Sequence, residues 1–466
     1  MHHRLLTDHL SRIKPFCLFG AKGVGKTTVV REFAGKFSNC IHLNLETGVD
    51  RAIFNFDVPA DETLKAISFL KGKEVRGTGT LIVLDELYRC QEAIKWVRKQ
   101  ADGRKYRDTD RRTGGPSDNF AGSGGPFIIA NSSIMTKEMD MLTDLENGIM
   151  QPLFLYPFSF EEFLMVVEDP AALEAFREVP VPYYAYEKLL NYFHIYSMIG
   201  GMPEIIGEYA ANRHLSGLKN IYKRVEERLI QGLQDVSAST KSRDLAVEVL
   251  QNTYPFAATR ISFNRFGNLE KGSREISQAF RMMERDFFLQ MIYPVTSTTL
   301  PLAPDFSKFP RVQLLDTGLV NYFSGIQKPL FQSHDMNAIF EGQIARQVVG
   351  QELLCAGNPD AGARSHLNFW IRNKAQSRAE VDFVFQYDDW LIPVVVRSGE
   401  PGRLRSLHQF IDLAPHAYAV RLHAGKLAVQ QTQTIRGKNF YLLNLPYFLA
   451  GKIKEHLKGF LRFANG

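Results

Sequence analysis

The stretch FCLFGAKGVGKTTVVREF, Phe16 to Phe33, sets an apolar run, a glycine-rich octapeptide and a helix-forming run in immediate succession. Its centre, Gly20-Ala21-Lys22-Gly23-Val24-Gly25-Lys26-Thr27, matches the pattern G-x-x-x-x-G-K-[ST] in full. Glycines at these positions let the backbone curl so that successive N–H groups face phosphate oxygens, aided by the positive end of the following helix. The pattern assigns Lys26 to the β- and γ-phosphates of ATP and Thr27 to Mg²⁺. Gly20 to Thr28 is therefore the expected nucleotide-binding loop.

A second segment supports that reading. LIVLDE, Leu81 to Glu86, is a buried-strand pattern ending in two carboxylates. In this arrangement Asp85 holds Mg²⁺ through water and Glu86 polarises the attacking water, so Lys26 and Glu86 are the expected catalytic pair. PFIIANSS supplies a further strand, whose end at Asn131 or Ser132 either contacts the γ-phosphate or the water, or is simply a polar strand terminus.

Around these segments FCLFG, IHLNLE, TLIVLDE and PFIIAN alternate with helix-like runs, including one near Asp61 and one from Gln91. Such alternation predicts a parallel sheet with helices on both faces. Residues 102–125, rich in Arg, Gly and Ser, read as a mobile insertion. Residues 156–250 are helical in pattern, and 251–330 give short helices and then the strand-like QMIYPV and RVQLLDTG. A separate α/β unit follows, with a helical stretch and the strand patterns LNFWIR, EVDFVFQ, WLIPVVV, HAYAVRL and KNFYLLNL.

The 466 residues suggest two to four domains, and 45% apolar content is globular. A net charge of +6 permits contact with a polyanion without requiring one. The cysteines Cys17, Cys40, Cys90 and Cys355 are isolated and form no C-x-x-C pair, which argues against a zinc or redox motif. The N-terminal residues carry no signal-peptide apolar region and no run spans a bilayer, so a cytoplasmic protein without membrane contact is expected.

Between Ser273 and Val295, SREISQAFRMMERDFFLQMIYPV places Ile276, Phe280, Met283 and Phe287 on one helical face and Arg274, Gln278, Arg281 and Arg285 on the other. A DNA-recognition helix needs this division, because guanidinium groups reach phosphates and guanine edges while the apolar face packs. An ordinary surface helix of a basic protein has the same division.

The loop and the acidic strand, followed by LYPFSFEEFL (155–164), MIGGMPEII (198–206) and RVQLLDTGL (311–319), resemble a family of prokaryotic AAA-type P-loop ATPases. The resemblance implies an α/β fold in four parts: a P-loop AAA-type ATPase domain at 1–155, a helical lid at 156–250, a winged-helix-like domain at 251–330 and a restriction-endonuclease-like domain at 331–466. The chain departs from the family at Tyr88, where a Gln is usual, and in ENGIMQPLFLYPFSFEEF, which lacks the usual Gly-Arg. No arginine finger can therefore be named. The arginine-rich insertion of a neighbouring subunit in a homo-oligomer is one source, and a solvated loop is the other reading.

The resemblance further implies a C-terminal metal site built from a helix Glu, a strand Asp and a Glu-x-Lys on the next strand. In AEVDFVFQYDDWLIPVVVRSG, Ala379 to Gly399, Asp382 keeps its place beside Glu380, but Val395 and Arg397 replace the Glu and Lys, and Arg346 replaces the helix Glu. Glu341 and Glu352 stand more than about 100° around a helix from Arg346. Valine offers no ligand atom, and arginine neither binds a cation nor acts as a base. The expected fold is thus a degenerate nuclease, with Asp382 pairing to Arg397 or Arg346 and the domain kept for a partner or for packing. The leading expectation is an ATP-dependent switch acting on DNA or an unidentified protein. An ATP-regulated endonuclease and a non-hydrolysing DNA-binding scaffold remain the alternatives.

Overall fold

A computed structural model describes residues 4–10, 14–55, 58–75, 77–108, 125–144, 148–215, 217–236, 239–328, 342–357, 363–374, 377–397 and 404–465. The fold is mixed α/β. The chain divides into two compact units: Met1–Leu155 with Arg285–Phe287 and Asn358–Arg364, and Tyr156–Glu284 with Phe288–Gly357 and Ser365–Gly466.

The first unit is built on β1 (Phe16–Phe19), β2 (Asn39–Asn44), β3 (Thr80–Asp85), β4 (Phe127–Ser132) and β5 (Gln151–Phe154), in the order β2-β3-β4-β1-β5. All four pairings are parallel. Leu81 to Leu84 of β3 are fully buried, as a strand covered on both faces requires. From β1 the chain crosses to β2 on one side, and it later reaches β5 on the other. The order therefore reverses at β1, and the crevice at the carboxyl ends of such strands is where α/β sheets bind ligands. The helix Lys26–Ala34 follows at that end and buries Val29, Val30 and Phe33, with Phe33 edge-on to Phe16 at 5.1 Å. Part of the stretch expected as a mobile insertion is helical instead. Helix Gln91–Asp108 runs through residues 102–108, where Lys and Arg are good helix formers, and residues 109–124 lie outside the described ones.

The second unit opens with six helices, among them Phe160–Val166, Tyr186–Ile199 and Pro203–Asn212. Helix Ser273–Arg285 precedes β6 (Leu289–Ile292), which pairs antiparallel with β8 (Arg311–Leu314). Between them β7 (Pro294–Val295) joins the edge of a seven-stranded sheet with β9 (Asn368–Ile371), β10 (Glu380–Tyr387), β11 (Trp390–Val396), β12 (Tyr418–His423), β13 (Ala428–Gln433) and β14 (Asn439–Pro446). Its order is β13-β14-β12-β11-β10-β9-β7. Helix Arg405–Leu413 covers this sheet through Leu407, Phe410 and Ile411, and Phe410 meets Trp370 edge-on at 5.3 Å.

Three motifs that carried no chemistry in the sequence converge in one buried hub of this unit. Asp316 of RVQLLDTGL accepts the Gly201 N–H at 2.5 Å and caps helix Thr317–Phe323 through the Leu319 N–H at 3.0 Å. Gly200 has φ +81°, and a Cβ there would stand 2.2 Å from Asp316 Oδ1, so only glycine fits. Phe158 N–H donates to the Gly201 carbonyl at 2.7 Å, tying LYPFSFEEFL to the same point. Glu352 is fully enclosed here rather than beside Arg346. Its Oε1 accepts the Phe160 N–H at 3.0 Å and lies 2.7 Å from the Tyr196 hydroxyl. Burial, opposed by those two bonds, pushes its carboxyl up to about 7.

Candidate functional site

The loop Gly20–Thr28 leaves the carboxyl end of β1 and closes on itself at Gly25, whose φ of 99° is open to glycine and strained for other residues. Lys26 is buried and donates to the Gly20 and Ala21 carbonyls at 2.9 and 3.2 Å, while its Nζ lies 3.5 Å from Glu86 Oε1. Thr27 and Thr28 stand half-buried in the first helical turn. Lys22 points elsewhere and pairs with Glu46 at 3.0 Å.

Parallel register brings the acidic pair to the loop. β3 lies two strands from β1, and β4 between them places Asn131 beside Leu18. Glu86 sits just past β3 with φ 54°, a conformation uncommon for a non-glycine residue. Its N–H donates to Asn131 Oδ1 at 3.1 Å, and its Oε2 accepts both the N–H and the hydroxyl of Ser133, at 2.7 and 2.8 Å. Asp85 Oδ2 lies 3.3 Å from His42 Nε2 on β2. Burial would raise the Asp85 carboxyl, but His42 and Asn131, with the Lys26 charge, outweigh it and hold the group below its ordinary value. By bond geometry the buried Asn131 Nδ2 has no hydrogen-bond partner among the described residues, so its action on Asp85 is that of a nearby dipole. Ser132, the alternative to Asn131, spends its hydroxyl on the Ile134 carbonyl at 2.5 Å.

Lys26, Asp85, Glu86 and Asn131 are thus brought together. His42 and Ser133 were missed. His42 lies on a strand distant in sequence, and only the β2–β3 pairing puts it beside Asp85. Ser133 was in view at the end of PFIIANSS, yet nothing local links it to Glu86. Tyr88, which stands where the resembling family has Gln, lies under the Arg89 guanidinium at 5.0 Å.

The basic helix face is divided. Arg274, Gln278 and Arg281 are exposed, whereas Arg285 lies 3.4 Å from Asp286. Burial pushes the Asp286 carboxyl up to about 7 although Arg285 opposes it. Ile276, Ala279, Phe280 and Met283 form the buried face.

In the second unit Arg346, Asp382 and Arg397 converge. Arg346 Nε and Arg397 Nη2 stand 3.9 and 4.0 Å from Asp382 Oδ1, ion-pair contacts too long for hydrogen bonds. Asp382 Oδ2 accepts the Val396 N–H at 2.9 Å. Val395 belongs to the apolar core. Glu341 lies outside the described residues. Among the described residues no three His, Cys, Asp or Glu side chains form a group able to hold a metal ion, and no helix is long and apolar enough to cross a membrane.

Comparison with known proteins follows the same division. Residues 12–164 match the family model described as AAA domain. Residues 190–330 match a domain of unknown function (DUF8612), and 341–448 match another (DUF4143). No curated protein matches the chain. Among solved structures, that of the Aeropyrum pernix Orc1 protein in complex with DNA is similar at 14% identity and a TM-score of 0.23, covering 70% of this chain and 90% of that chain. A score so low carries no argument about fold or function. The AAA match and the parallel sheet with its phosphate-binding loop support a P-loop AAA-type ATPase in the first unit.

Proposed function

We propose that the protein is an ATP-binding and ATP-hydrolysing AAA-type molecular switch whose C-terminal region, a nuclease-like fold without its metal ligands, engages a partner. The observation that carries this reading is the convergence of Lys26, Asp85, Glu86 and Asn131 around the loop Gly20–Thr28 at the carboxyl ends of β1, β3 and β4. These residues fit Mg-ATP: the loop offers backbone N–H groups, Asp85 is held ionised, and Asn131 Nδ2 is a buried donor with no acceptor. Thr27 and Asp85 would hold Mg²⁺, which when bound neutralises phosphate charge.

Lys26 exchanges its two carbonyl partners for phosphate oxygens. Glu86, oriented by Ser133, takes a proton from the attacking water, and Asn131 Nδ2 donates to that water or to the γ-phosphate. Exposed Arg274 and Arg281 support DNA as a candidate partner. Supply of an arginine by a neighbouring copy in a homo-oligomer remains part of the reading, as does a cytoplasmic setting, which suits four free cysteines. The test is Glu86→Gln, which keeps Asp85 and Lys26 but removes the base. ATP should bind and persist; turnover at the parent rate would show that the wrong base was assigned.

The double hydrogen bond from Ser133 favours a second reading, in which the Glu86 carboxylate is spent and nucleotide is held without turnover. Absence of ATP hydrolysis in the parent, with tight binding retained, would favour it.

A further inference from the structure

We propose that Arg346 and Arg397 form an oxyanion site in the second unit, taking a phosphate group beside Asp382 where the resembling family would hold a metal. Two guanidinium groups here carry donors that are not used. Neither guanidinium donates a hydrogen bond among the described residues, and each reaches only Asp382 Oδ1, at 3.9 and 4.0 Å. Arg311 is the contrast. It is buried, and donates to the Asp382 carbonyl at 2.5 Å and to Glu380, so its charge is paired and two of its nitrogens are satisfied.

Charge counting leads the same way. Among the described residues Arg311, Arg346 and Arg397 face Glu380 and Asp382, which leaves one positive charge in excess in this group. A largely enclosed cation such as Arg346 without a hydrogen-bonding anion is costly, and a planar guanidinium fork suits phosphate. Burial pushes the Arg346 guanidinium below its ordinary value; Asp382 opposes that shift, while Arg311 and Arg397 add to it.

Geometry permits one ligand to reach both groups. The nitrogens that flank Asp382 Oδ1 are no more than about 8 Å apart, and an oxyanion bridges such a gap with two charge-assisted hydrogen bonds of roughly 2.8 Å. The Arg397 side chain is 39% exposed and Arg346 15%, so the site is reached from solvent on the Arg397 side. Asp382, 3% exposed and anchored by Val396 N–H, orients the two arginines and at the same time weakens the anion's hold. That double role gives the proposal a sign that a metal site would reverse.

The experiment is equilibrium titration of the full chain carrying Lys26→Ala, which keeps the phosphate-binding loop out of the readout. The probes are inorganic phosphate and a short single-stranded oligonucleotide with and without a 5′-phosphate. Arg397→Gln, on a half-exposed side chain, should weaken binding about tenfold, and Arg346→Gln with Arg397→Gln should abolish it. Asp382→Asn keeps an acceptor for Val396 N–H and should tighten binding several-fold. Tighter binding of the oligonucleotide identifies the nucleic-acid backbone as the source of the phosphate, and equal binding of all probes identifies the free anion. Binding unchanged by Arg397→Gln, weakened by Asp382→Asn, or absent for every probe overturns the proposal.

Discussion

Two places in this molecule set a carboxylate at or near a strand end beside basic side chains, and they differ in how the charges are spent. At the N-terminal site Lys26 lies within reach of Glu86 and two loop carbonyls, Asp85 has His42, and Glu86 has Ser133. At the C-terminal site Asp382 faces two guanidinium groups that make no hydrogen bonds among the described residues. A strand-end acid is thus no function in itself. Its neighbours decide whether the site suits a cation held with a nucleotide or repels one.

The largest expected effect breaks the comparison on its N-terminal side. Lys26→Ala should lower Mg-ATP affinity about a hundredfold or more, because a buried charge-assisted contact to phosphate is lost, while the melting curve stays cooperative. Binding measured with a fluorescent nucleotide checks this, and retained tight binding would sink the phosphate-loop reading. Asp382→Ala in the same assay should leave nucleotide affinity unchanged.

An effect of comparable size, on stability rather than binding, lies in the hub of the second unit. Glu352 has a folded value of about 7 against an ordinary 4.5, so the folded state binds more protons between these values. Stability from this group is present below pH ~4.5, falls as pH rises toward 7 and is level above it, a change on the order of 3 kcal/mol. Asp316, raised to about 6 chiefly by burial, adds in the same direction. Glu352→Gln should therefore flatten the decline of melting temperature between pH 5 and 8. An unchanged slope would remove Glu352 as its cause.

Asp382→Ala should cost about 1–3 kcal/mol, since it strands the buried Val396 N–H and takes from Arg346 and Arg397 their nearest counter-charge. Denaturant unfolding reads it, and Asp382→Asn should recover most of the loss. The smallest effect concerns the basic helix. Arg274→Glu with Arg281→Glu should lower the slope of log K for DNA against log salt by about 2. Arg285 is left out because reversing it would set a second acid beside the buried Asp286. An unchanged slope would make that helix face ordinary surface.

Much of the fold was legible because its strands are contiguous apolar runs between turn residues. The exceptions share a cause. β13, AVQQTQ, is exposed and polar and is held as an edge by its bonds to β14, and β5, QPLF, is four residues containing a proline. Neither has a periodicity of its own. Arg346, Asp382 and Arg397 were proposed as neighbours from a resemblance, but the unused donors around them became visible only from side-chain distances.

By itself the sequence determined the loop Gly20–Thr28, because every requirement of a phosphate-binding turn lies within nine adjacent residues and acts through local backbone conformation. It also determined that Val395 and Arg397 cannot ligate a cation, since side-chain chemistry does not depend on the fold. Tertiary structure alone decided that His42 meets Asp85, that Ser133 holds Glu86, and that Gly200, Asp316 and Glu352 close one hub. Those contacts join residues from 43 positions apart, His42 to Asp85, to 192, Phe160 to Glu352, and their geometry is set by sheet order and helix packing, which no local pattern encodes.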